Sequence, residues 1–361
     1  MTDIAKIDKN FKIETSINIP GLRFYSADEK PFSVYGVFKE NGKYRRLPES
    51  VAEKVSYGVH GLHANTSGGR IRFATDSPYV AINVRYGHIG RMPHFTLIGS
   101  AGFDIYSNED GKDVYRGSFM PSYDLEGSYE GVVEFKINRW GEDSWKMRDI
   151  TINMPTYTEV LEVYIGLHEN AVVREATPYV DGEKPIVYYG HSITQGGCVS
   201  RPGYAYPALL SRRFNCNFIN LGFSGSALGE DAMAQYIAGL DMKMFVCDYD
   251  DNAPSAEHLQ NTHESLFKAV RSAHPDMPII ILSTSPKTQY WGSIEQREAI
   301  VYQTYKNAVA NGDKNVYFVD CFTRLNDYDG HAGATVEGVH LNDIGFTYVA
   351  EALAETMEGL I

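Results

Sequence analysis

"IVYYGHSITQGG", residues 186–197, is the stretch on which the fold turns. Ile186, Val187, Tyr188 and Tyr189 form an apolar run without polar alternation, then stop at Gly190 and Ser192. A run of that kind reads as a strand buried on both faces, which is the habit of a parallel sheet covered by helices. "PIVYY" (185–189) is followed by four similar runs: "NFINL" (217–221), "MFVCDYD" (244–250), "PIIILS" (278–283) and "VYFVD" (316–320). Helix-like stretches lie between them, near 204–214, 228–239, 257–274 and 293–311, with a last one near 343–358. Strand and helix in alternation predict an α/β layered domain. Ligands in such sheets bind at the carboxyl ends of the strands, so the loops after the five runs are where chemistry is to be sought.

Upstream the pattern changes. "RIRFATD", "YVAINVRYG", "HFTLIGS", "FDIYSNEDG", "GVVEFKINRW", "DITINMP" and "VLEVYIGLH" are short alternating segments broken by Gly, Asn, Asp and Pro. Alternation over four to eight residues with frequent turn signals predicts an all-β sandwich or jelly roll. Hardly any stretch in this half shows a helical period. "REATPYVDGEKP" (174–185) reads as the linker, which divides the chain into a β domain over 1–180 and an α/β domain over 181–361. Two domains also suit the length of 361 residues.

The composition narrows the partners. Hydrophobic residues make up 43% and charged residues 22%, ordinary for a globular protein. The net charge of -13 argues against a nucleic-acid partner, which needs Lys and Arg for phosphate. No run approaches the ~20 apolar residues of a membrane span, and no signal-peptide core opens the sequence, so a cytoplasmic location is expected. Cys198, Cys216, Cys247 and Cys321 are widely spaced, with no C-x-x-C pair.

Four loops carry residues with chemistry to offer. Ser192 follows the first run; a serine hydroxyl is a weak nucleophile that needs a base within reach. Gly225, in "NLGFSGSALG" (220–229), permits a tight backbone whose amide can face a substrate oxygen. Asn252, in "DYDDNAP" (248–254), has a side-chain NH₂ suited to a developing oxyanion. Asp248, Asp250 and Asp251 crowd that corner, but no nearby histidine completes a metal set. His340, in "TVEGVHLNDIGF" (335–346), stands three residues after Glu337, a spacing that can turn the carboxylate onto one ring nitrogen. Each loop read alone is equally a strand-to-helix turn or a helix cap; Asn342 or Asp343 suits the cap. His191 is a poor base for Ser192, because neighbours leaving a strand point to opposite sides.

The order of these blocks resembles the SGNH hydrolase superfamily, the GDSL-type esterases and lipases. The resemblance implies Ser192 as nucleophile, Ser192, Gly225 and Asn252 as oxyanion donors, and His340 as base. It also implies a three-layer flavodoxin-like domain of sheet order 2-1-3-4-5. "GFDIY" (102–106), with "SITQGGCVSRPGYAYPALLSRRF" and "NLGFSGSA", is similar to a bacterial two-domain branch whose β-rich N-terminal domain bears a G-x-D-L-Y signature. Two departures stand out: His191 occupies the usual Asp position of G-D-S, and Glu337 that of the triad acid in D-x-x-H. Glu337 is expected to hold His340; a Ser–His dyad oriented by a backbone carbonyl is the alternative.

The resemblance implies ester hydrolysis without a metal or organic cofactor. Acetylated oligosaccharides or another small ester are the expected substrates. A thioesterase, a lysophospholipase and a non-catalytic glycan-binding protein are the rivals, and a homo-oligomer stays open. Tyr290 and Trp291, in "TSPKTQYWGS" (284–293), offer aromatic faces to a sugar, and Arg201 and Tyr106 are further candidates for substrate contact.

Overall fold

Ile186–Gly190 is strand β1 of a five-stranded parallel sheet in the computed structural model, which describes residues 13–109, 111–135, 144–180, 184–283, 285, 294–326 and 333–361. With β2 (Phe218–Gly222), β3 (Met244–Asp248), β4 (Ile279–Leu282) and β5 (Val316–Val319), the order is β2-β1-β3-β4-β5, as expected. Successive residues of β1 point to opposite faces, and both faces are buried. Ile186 and Tyr188 join Tyr206, Leu210, Phe346 and Leu353 on one side. Val187 and Tyr189 join Met233, Ile237, Leu259 and Val301 on the other. The parallel register aligns Gly190 with Gly222 on one neighbour and with Asp248 on the other. Three strands therefore end level, and their loops open side by side.

The N-terminal half holds a two-stranded antiparallel sheet, Phe38–Glu40 with Lys43–Arg45, and two larger antiparallel sheets. One runs in the order Leu22–Ser26, Val160–His168, Tyr79–Tyr86, Ser128–Glu134. The other runs Val173–Arg174, Arg70–Thr75, Arg148–Asn153, Phe103–Glu109, Lys112–Phe119, with Ser33–Tyr35 beside Arg70–Thr75. Their inner faces share one core in which Ile82, Val84 and Ile165 meet Phe73, Ile105 and Ile150. This half also contains helices at Glu49–Val55, Tyr57–Leu62 and Leu97–Ala101. The first two each bury a single residue, Ala52 and Val59, too little to write a helical period into the sequence. "HFTLIGS" reads as a strand but begins a helix at Leu97, capped by the Thr96 side chain accepting from the Gly99 amide. Among the described residues no helix is long and apolar enough to cross a membrane.

The halves are joined by buried polar side chains. Arg46, 1% exposed, donates to the carbonyls of Asn65 (2.7 Å) and Leu62 (2.9 Å) in its own half. It also donates to Asn220 (3.1 Å) and Gly222 (2.6 Å) on β2. Burial pulls its guanidinium pKa down to about 9, still protonated at neutral pH. Asp104, fully buried, accepts from Asn153 Nδ2 and from the Gly203 amide, both at 2.7 Å. Burial pushes its carboxyl up to about 6, against the lowering effect of these donors, Arg212 and Arg201. A Cβ on Gly203 would lie 2.7 Å from Asp104 Oδ2 and from Tyr106 Cε2, so only glycine fits. "GFDIY" is thus the socket into which the loop after Ser192 plugs.

Candidate active site

Ser192 opens a short helical turn, Ser192–Gln195, directly after β1. The chain bends tightly at Gly190, where a Cβ would strike Thr194 Oγ1 and Asp248 O. His191 caps the turn: its Nδ1 accepts from the Ile193 amide at 3.2 Å. That backbone donor assigns the ring proton to Nε2, which faces Asp248 Oδ1 at 3.3 Å and Asp251 Oδ2 at 3.4 Å. His191 is buried among these acids. It stands near enough to Asp248 and Asp250 to resemble a metal set, but an Nε2 that carries the proton is a donor and not a ligand.

The three candidate oxyanion donors come from three level strand ends. The amides either side of Ser192 are taken: His191 donates to Asp248 O at 3.1 Å, and Ile193 donates to His191. The turn after β2 repeats the pattern. The Ser224 amide donates to Gln195 Oε1 at 2.9 Å and the Ser226 amide to Phe223 O at 2.9 Å, which leaves that of Gly225. Gly225 adopts φ +65°, and a Cβ there would meet nothing within 4 Å, so the turn faces open space. Asn252 donates one Nδ2 hydrogen to Phe223 O at 3.0 Å, and an amide NH₂ has a second.

His340 and Glu337 approach from the loop before the last helix, Asp343–Met357, which Asn342 caps. Glu337 Oε1 accepts from His340 Nδ1 at 2.6 Å and from the His340 amide at 3.1 Å. Burial raises the Glu337 pKa, but the two hydrogen bonds, the imidazole charge and His94 outweigh it and hold the carboxyl below its ordinary value. Ser192, Gly225, Asn252 and His340 line one open cavity of about 910 Å³, together with Arg297 and Val339. Arg297 is nearly buried and donates to Asp250 O at 2.7 Å, bracing the Asn252 turn.

The N-terminal half supplies groups that no sequence signal marked. Tyr157 donates to the Ser192 carbonyl at 3.3 Å. Burial raises its phenol pKa, opposed by a hydrogen bond with Ser224. Gln195 Nε2 donates to Thr156 O at 3.1 Å, so its amide spans the nucleophile turn, the Gly225 turn and the β domain. His94 stacks on His340, with ring centroids 5.2 Å apart. Tyr157 and His94 lie far from Ser192 in sequence and belong to no local motif, so only the fold reveals them, whereas Gln195 sits inside the "SITQGG" stretch itself.

The remaining sequence candidates fall elsewhere. Arg201 donates through Nε to the Tyr106 hydroxyl at 3.2 Å, and Arg212 lies 4.0 Å over the Tyr106 ring. Arg201 and Tyr106 belong to the joint between the halves and not to the cavity lining. Tyr290 and Trp291 lie outside the described residues.

Residues 183–358 match the GDSL-like lipase/acylhydrolase family, and residues 22–173 match the family described as the N-terminus of the SGNH hydrolase type of esterase. A GDSL-like lipase from Bacteroides ovatus is similar at 27% identity and TM-score 0.82, covering 94% of this chain and 98% of its own. A salicylyl-acyltransferase from a tetracycline biosynthetic pathway follows at 19% identity and TM-score 0.75, covering 95% and 98%. An acetyl xylan esterase from the rumen bacterium Butyrivibrio proteoclasticus shares the fold at 10% identity and TM-score 0.56, covering 93% and 98%. No curated protein matches the sequence.

Proposed function

We propose that this chain, which belongs to the GDSL-like lipase/acylhydrolase family and carries the N-terminal domain of SGNH-type esterases, hydrolyses short acyl esters, acetyl groups on carbohydrates foremost. One observation carries the reading: His340, joined to Glu337 at 2.6 Å, lines one cavity with Ser192, Gly225 and Asn252. Glu337 holds the Nδ1–H tautomer of His340, and Nε2 takes the proton from Ser192 Oγ as it attacks the ester carbonyl. The amides of Ser192 and Gly225 and the Asn252 side chain receive the tetrahedral oxyanion, each donor contributing about 3 kcal/mol in the transition state. His340 returns the proton to the leaving alkoxide, and water repeats the cycle on the acyl-enzyme. Glu337 below its ordinary pKa stays ionised and stabilises the imidazolium formed at each step.

Ser224, Ser255 and Gln296 on the lining of the open cavity supply polar groups for the hydroxyls of a sugar. The acetyl xylan esterase of the same fold accords with an acetylated sugar as substrate. Ser192→Ala should lower p-nitrophenyl acetate turnover by roughly 10⁴-fold or more with an unchanged melting temperature; undiminished turnover would sink the assignment. Acetate release from acetylated mannan, xylan and sialate oligosaccharides tests the substrate class. Preference for long-chain p-nitrophenyl esters would instead favour a thioesterase or lysophospholipase.

A further inference from the structure

His94, Cys198 and His340 converge beside the cavity, which His340 lines. Each offers a ligand atom, and the three atoms lie within 4.8 Å of one another. They come from three places: a loop of the β domain, the loop after the Ser192 turn, and the Glu337–His340 loop. Cys198 is buried and holds φ +72°, a left-handed backbone that glycine or asparagine would take with less strain. Its thiol is therefore presented by the loop at some conformational cost.

The donor set has a clear chemical preference. Two imidazoles and a thiolate suit zinc and its soft neighbours, and not magnesium or calcium, which want oxygen. A tetrahedral ion with bonds of about 2.0–2.3 Å spaces its ligand atoms at roughly 3.3–3.8 Å. Binding therefore draws the three ligand atoms, now within 4.8 Å of one another, closer together. The carboxylate behind His340 is the outer partner such a ligand ordinarily has, since Glu337 Oε1 on Nδ1 orients the ring and leaves Nε2 as the coordinating nitrogen. Three protein ligands leave the fourth position to water.

We propose that His94, Cys198 and His340 form a binding site for a zinc-class divalent ion, and that filling it switches the esterase off. On binding, the Cys198 thiol releases one proton to solvent and the two imidazoles bind as neutral ligands. The ion then holds the Nε2 lone pair that would take the proton of Ser192, so metal binding and catalysis exclude each other. The inhibition, though not the binding, rests on His340 being the catalytic base.

The test uses the full chain after dialysis against EDTA. Zinc is titrated in competition with a chromogenic chelator, and cobalt(II) is added separately as a spectroscopic probe. One ion per chain is expected, with a thiolate-to-cobalt charge-transfer band. Cys198→Ser should remove the band, and both Cys198→Ser and His94→Gln should weaken zinc binding at least tenfold. p-Nitrophenyl acetate turnover of the unmodified chain should fall at least tenfold in step with occupancy and return with EDTA. Cys198→Ser should keep its turnover at the same zinc concentration. Unchanged zinc affinity in both variants, or cobalt binding without the band, would overturn the site. Binding with the band but undiminished turnover would overturn the inhibition and with it the role given to His340. A chain that binds the ion but never cleaves esters would leave the site standing and defeat the esterase reading.

Discussion

Two histidines flank Ser192, and their surroundings differ at both ring nitrogens. His191 has a backbone amide on Nδ1 and faces two carboxylates with Nε2, and its ring is nearly fully buried. His340 has a carboxylate on Nδ1 and lines the cavity that Ser192 also lines. Sequence proximity favours the first and geometry the second. A histidine acts as a base through a nitrogen that can lose and regain a proton beside the substrate; a buried ring whose Nδ1 is held by a backbone amide is suited to structural work instead.

Three of the following four measurements bear on that contrast, and one reads the joint between the halves. His340→Ala should cost the most, about 10⁴-fold in turnover, with little change in melting temperature. An equal loss in a His191 variant would reverse the assignment. Glu337→Gln follows, at roughly 10²–10³-fold, because the amide still fits beside His340 Nδ1 but cannot stabilise imidazolium. A loss below tenfold would support a Ser–His dyad.

The third measurement moves to the joint and reads stability. Asp104 has its pKa raised by burial from 3.8 to about 6. A carboxyl raised on folding contributes stability that is full below pH ~4 and is lost as pH climbs through about 6. That interval corresponds to ~3 kcal/mol. Melting temperatures from pH 4 to 7 should show this fall, and Asp104→Asn should flatten it; an identical profile would show the joint insensitive to this proton. The smallest effect is expected at His191. Asn keeps the cap on Ile193, so His191→Asn should cost about 1 kcal/mol of stability and at most about tenfold in turnover. His191→Asp, which restores the residue usual in G-D-S, should be worse than Asn, because it sets a third carboxylate against Asp248 and Asp251.

The five apolar runs foretold the parallel sheet well because strands buried on both faces write themselves as unbroken hydrophobic stretches. Observed strand ends differ from those expected by a residue or two, as with "MFVCDYD" against Met244–Asp248. The blocks that carry Ser192, Gly225, Asn252 and His340 stood out for a related reason: each follows a strand or precedes a capped helix. What was hidden came from pairings across the two halves. Tyr157 and His94 carry no local pattern, and Arg201 and Tyr106, which looked fit for substrate, are occupied with each other. Short helices that bury one residue left no period to read.

Arg46 bears on how the molecule is made. Its two acceptors on β2, the carbonyls of Asn220 and Gly222, lie 174 and 176 residues further along the chain. During synthesis the N-terminal half therefore emerges with a cation whose native cage is half built, and the missing half reaches it only once β2 has been translated. The early half cannot settle into its final burial by itself, which ties its maturation on the ribosome to the strand that leads into the Gly225 turn.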